Sequence, residues 1–109
     1  MNTIFYGLKH KCPDGVERFF HIFPHPKLAL MCGSGPVYEL ELRETEKGEV
    51  SDYWGWYDNE KNDYSMIYPN KTPFKMCFPY GYEAEEKAGK GRAVNLVVVE
   101  RGIWKKDDV

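Results

Sequence analysis

With 109 residues, 42% apolar, 29% charged and a net charge of −2, the chain has the size and balance of one globular domain, 1–109, and excludes wholesale disorder. No apolar run approaches the length of a bilayer-spanning helix, and the start MNTIFYGLKHK lacks a signal-peptide core, so a cytoplasmic protein without membrane attachment is expected. Aromatics at 16%, ten glycines and seven prolines favour strands and turns over helices.

Thr3 to Lys9 reads as a first strand, with Ile4, Tyr6 and Leu8 on one face. Cys12-Pro13-Asp14-Gly15 turns the chain into a second strand, Val16 to Phe23, because proline pre-sets φ and glycine takes the positive φ of a tight turn. Its RFFHIF centre is apolar on both faces, which predicts a central strand ended by Pro24 and Pro26. Lys27 to Cys32 reads as a short apolar strand stopped by Gly33-Ser34-Gly35-Pro36. Val37 to Arg43 alternates cleanly, Tyr38, Leu40 and Leu42 inward and Glu39, Glu41 and Arg43 to water.

After Glu46-Lys47-Gly48, Val50 to Asp58 and Tyr64 to Tyr68 are predicted as a hairpin around the polar loop Asn59 to Asp63. Trp54 and Trp56 share a face with Val50 and Asp52, and Tyr53, Gly55 and Tyr57 lie on the other. Gly55 leaves room for a bulge or a closely approaching group. Phe74 to Phe78 predicts another strand, Tyr82 to Lys87 a short helix ended by Gly89 and Gly91, and Ala93 to Arg101 a central strand buried on both faces. Lys105 to Val109 reads as a frayed tail. No linker, internal repeat or low-complexity segment is evident. The expected fold is α+β and β-rich: a single antiparallel sheet or small barrel-like domain of seven or eight short strands, with one short helix near residues 82–88.

Charge is distributed unevenly. Residues 34–65 hold nine acidic side chains against three basic ones, while both flanking segments are slightly basic. An acidic middle repels nucleic acid and attracts a basic protein surface. The cations Lys87, Lys90, Arg92, Arg101, Lys105 and Lys106 are diluted by Glu83, Glu85, Glu86 and Glu100, so they form no clear basic stripe.

The candidate chemistry is sparse. His10, Cys12, His21, His25 and Cys32 cluster in the first third and are weak candidates for a metal site. A hairpin would bring His10 and His21 together, but there is no C-x2-C, and proline breaks the H-x3-H of His21 and His25. The three cysteines, Cys77 included, read as reduced, mostly buried thiols, and no cysteine can be placed against a histidine as a nucleophile. Ala88-Gly89-Lys90-Gly91-Arg92 lacks the spacing of a phosphate loop and reads as a turn. Asp14 in a turn and Glu85-Glu86-Lys87 in a helix cannot share a nuclease metal. No catalytic residue and no cofactor are expected.

The densest chemistry lies in Val50 to Tyr68, where Tyr53, Trp54, Trp56, Tyr57 and Tyr64 interleave with Asp52, Asp58, Glu60 and Asp63. Two readings compete. In the first, the cross-strand aromatics are simply core, since large aromatics are mostly buried. Alternatively, the aromatics anchor a basic protein partner that the acids steer, or they stack on a carbohydrate or other small ligand. The expected role is that of a small non-enzymatic binding protein of inhibitor or adaptor type, viral examples included, by analogy of size and charge layout.

Overall fold

The computed structural model describes residues 2–70 and 82–105. Six antiparallel strands form one nearly closed, barrel-like sheet: β1 (Ile4–Lys11), β2 (Glu17–Phe23), β3 (Tyr38–Glu44), β4 (Tyr53–Asp58), β5 (Asp63–Pro69) and β6 (Gly91–Ile103). Their order is β2-β1-β3-β6-β4-β5, and β2 packs against β5 to close the seam. Two short helices, α1 (Pro26–Cys32) and α2 (Tyr82–Lys87), precede β3 and β6. No described helix is long and apolar enough to cross a membrane.

The predicted strand Lys27 to Cys32 is the helix α1. Pro26 stands in its first turn, where the missing N–H costs nothing, and Leu28, Ala29, Leu30 and Met31 are strong helix formers without a β-branch. Those signals were present in the sequence. The expected helix Tyr82 to Lys87 is α2, whereas the strand predicted over 74–78, Cys77 with it, and residues 106–109 of the predicted tail lie outside the described residues.

Two further expectations are corrected by the sheet order. RFFHIF is not central: β2 ends the sheet, and its two apolar faces have separate neighbours. Phe19 and Ile22 face the lumen, while Phe23 packs with Tyr6, Leu8, Ala29, Leu30 and Trp104 beneath α1. β6 is central but buried on one face only; Val94 and Leu96 fill the lumen, and Val99 on the other face is 40% exposed. An antiparallel sheet needs only one covered face.

The lumen is packed by Phe5, Phe19, Ile22, Leu40, Leu42, Tyr53, Tyr64, Ile67, Val94 and Leu96. These residues come from two halves of the same element order, β1-β2-α1-β3 and β4-β5-α2-β6, whose strand order and register are symmetric about the Leu42–Val98 pair. Phe5 pairs with Leu40 as Tyr53 pairs with Leu96. In both hairpins the second strand carries one extra residue, and His21 (φ 52°) and Met66 (φ 54°) occupy those bulges in the left-handed region. A glycine faces each bulge. A Cβ at Gly7 would meet Ile22 Cγ1, the Phe20 carbonyl and Leu40 Cδ1; at Gly55 it would meet Ile67 Cγ1, the Ser65 carbonyl and Leu96 Cδ1, all within 3.1–3.3 Å. The bulge anticipated beside Gly55 is therefore present, on the partner strand. The repeat that the sequence did not reveal leaves faint traces in Phe-Tyr-Gly against Tyr-Trp-Gly and in Ile-Phe-Pro against Ile-Tyr-Pro.

The halves differ in how they satisfy their outermost strands. Phe19 N–H on β2 donates across the lumen to the Tyr53 hydroxyl (2.9 Å), whereas its counterpart, Tyr64 N–H on β5, donates to the Asp63 carboxylate (2.8 Å). Removing a buried acceptor costs more than the net value of one hydrogen bond. Tyr53→Phe should therefore lower stability by about 1–3 kcal/mol in urea denaturation and speed hydrogen exchange at the Phe19 amide.

Candidate functional site

Of the nine residues singled out between 52 and 64, the structure buries four. Tyr53 and Tyr64 belong to the lumen, with Tyr57 half-buried above them. Trp54 and Trp56 lie on the opposite face of β4, as the alternation predicts, yet they are only 6% and 3% exposed. Trp56 lies across the start of β6, where a Cβ on Gly91 would strike its indole. Neither tryptophan offers an open ring face for a sugar or a partner. The four carboxylates are not one patch either. Asp52 precedes β4 while Asp58, Glu60 and Asp63 lie at its far end, about 20 Å away along a six-residue strand.

What remains accessible is the hairpin tip, and it is held firmly. The Asp58 carboxylate accepts hydrogen bonds from the Glu60 and Lys61 N–H groups (2.9 and 3.0 Å), closing the loop from inside. Asn59 docks the tip onto the turn between α2 and β6, its amide donating to the Gly89 carbonyl (2.7 Å) and its N–H to the Lys90 carbonyl (2.9 Å). Asn62 takes a left-handed conformation that asparagine tolerates, and its side chain bonds the Tyr57 hydroxyl. Glu60 and Lys61 are exposed to solvent.

Beneath the tip lies a cluster absent from the sequence expectation. Arg92 on β6 forms a bidentate pair with Glu44 on β3 (2.6 and 3.0 Å) and stacks over the Tyr57 ring at 5.1 Å. The Tyr64 hydroxyl donates to the same carboxylate (3.2 Å), and its ring meets Tyr57 edge to face. The Arg92 hydrogen bonds hold the Glu44 carboxyl below its usual range, while burial and then Glu44 push the Tyr64 hydroxyl up to about 12. The opposite end of the barrel repeats the device. Lys9 pairs with Glu100 (2.9 Å) over the rings of Phe19 and Tyr38, beside a shallow depression of about 180 Å³ lined by Glu17, Ser34, Gly35 and Pro36. Local reading could not find these pairs, because 48 residues separate Glu44 from Arg92 and 91 separate Lys9 from Glu100.

The histidine and cysteine candidates scatter. The β1–β2 hairpin does bring His10 and His21 together, with ring centres 5.6 Å apart. His25 stands exposed at the start of α1, and Cys32 is exposed at its end. Cys12 is buried beside Arg18, whose guanidinium is paired to Asp14. Among the described residues no three His, Cys, Asp or Glu side chains are gathered as metal ligands.

Two outcomes follow from this geometry. Trp56→Ala should cost about 3–5 kcal/mol in urea denaturation, the range for a deleted core aromatic. Stability should also fall at both pH extremes. Tyr64 keeps its proton in the folded state, so unfolding releases protons above pH 10 and stability drops from there to about pH 12; Tyr64→Phe should flatten this limb of the denaturation profile. Asp14 and Glu49, each held near 2 by arginine hydrogen bonds, give stability that is present above pH 4.5 and lost as the pH falls toward 2. Compared with protein-family models, curated proteins and solved structures, the chain matches none of them.

Proposed function

We propose that this is a small macromolecule-binding protein, of inhibitor or adaptor type, that engages a basic protein surface through the tip of the β4–β5 hairpin. The observation that carries the reading is the preorganisation of that tip. Asp58, Asn59 and Asn62 lock the loop from within and against the α2–β6 turn, so little ordering entropy remains to be lost on binding. Glu60 is free to meet a partner's cation, and the half-buried carboxylates of Asp58 and Asp63 add to the field that steers it. In this reading the tryptophans are the foundation of the hairpin and not its contact surface.

Capture from lysate of the source cell, at low and high salt, tests the proposal. Wild-type protein should retain a basic partner that elutes as salt rises. Glu60→Lys should weaken that capture and leave thermal unfolding unchanged. Asp52→Lys, at the other end of β4, should bind like wild type. Equal capture by wild type and Glu60→Lys overturns the assignment to the tip.

A further inference from the structure

We propose that His10 and His21 form a two-histidine binding site for a divalent first-row transition ion. The two imidazoles lie on adjacent strands of the β1–β2 hairpin, their centres 5.6 Å apart and their planes at 82°. A metal–nitrogen bond of about 2.0–2.1 Å places an ion about 3.2 Å from the centre of each ligating ring. Two imidazoles that share one ion in a tetrahedral or wider arrangement therefore have centres about 5–6 Å apart, and the observed spacing falls in that range. Imidazole nitrogen suits Zn²⁺, Ni²⁺ and Cu²⁺, and does not suit the hard ions Mg²⁺ and Ca²⁺.

The backbone explains why the rings meet. In regular pairing a one-residue offset would send neighbouring side chains to opposite faces; the bulge at His21, at φ 52°, re-aims this one. The second half of the molecule has the same bulge, but Met66 occupies it, and Asp58 occupies the strand position equivalent to His10. The bulge thus belongs to the fold, whereas the imidazole pair belongs to the first half alone. With no third His, Cys, Asp or Glu ligand gathered among the described residues, the ion keeps positions open for water or for a donor from a bound partner. An ion held there would tie β2, at the end of the sheet, to β1.

Calorimetric titration of the untagged full chain with NiCl₂ or ZnCl₂, in a Cys32→Ser background that removes the exposed thiol, tests the site. One ion should bind per chain, and MgCl₂ should give no signal. His10→Asn and His21→Asn should each weaken binding by about tenfold or more, at least the effect of losing an outer-shell partner, and His25→Asn should not. Asparagine tolerates the left-handed backbone at position 21, so His21→Asn should keep the wild-type circular dichroism spectrum. Absence of binding at millimolar ion, or binding that survives in the His10→Asn/His21→Asn double variant, overturns the proposal.

Discussion

Leu42 on β3 and Val98 on β6 face each other where the two halves of the molecule meet, and their register decides where every other lumen residue falls. Glu41 meets Val99 and Arg43 meets Val97 about this pair, so the ladder is symmetric in position although not in residue type. A slip of one residue would turn outward either Leu40 and Leu42 on β3 or Leu96 and Val98 on β6, and half-empty the lumen at this ladder. The remaining strands are added outward from this ladder, β1 and β2 on one side and β4 and β5 on the other. Closing six strands around so few lumen residues demands sharp corners. The bulges at His21 and Met66, each opposite a glycine, supply the bend, and each spends of order 1–3 kcal/mol of backbone strain that the packed lumen outweighs.

The same topology redistributes charge. The acidic segment between residues 34 and 65 looks uniform along the chain, but β6 runs between β3 and β4 and delivers Arg101 to Glu41 and Arg92 to Glu44, while Arg43 folds back onto Glu49. Exposed ion pairs contribute little stability individually. Their effect is on the field: three of the nine carboxylates are neutralised, and those of the hairpin tip stand out against a more balanced surface. At both barrel ends a cation lies over lumen aromatics and is held by a carboxylate from a central strand, Lys9 by Glu100 and Arg92 by Glu44.

The tryptophans illustrate how burial and function separate. A reading by residue type makes Trp54 and Trp56 anchors for a ligand, since large aromatics beside acids suit recognition. In the fold they are the counterparts of Tyr6 and Leu8, the outer-face residues that α1 helps to cover in the first half. Their burial steadies β4, and the polar groups at the end of that strand then hold the tip. The candidate surface is thereby smaller than the aromatic segment, and its rigidity comes from the hydrogen bonds of Asp58, Asn59 and Asn62 above a buried aromatic base.

The β-rich class, both hairpins, the clean alternation of β3, the helix at 82–87 and the two faces of β4 are legible along the chain, because each depends on local periodicity or turn chemistry. The sequence also contains the signs of α1, in Pro26 and an unbranched run, and of the repeat, in two aromatic-glycine pairs. That β2 is an end strand, that both faces of β4 are buried, that Arg92 answers Glu44 and that His21 meets His10 emerge from the assembled sheet. The physical reason is common to all four. Periodicity reports which side chains share a face, but strand order decides what that face is pressed against, and strand order rests on contacts between residues far apart in the chain.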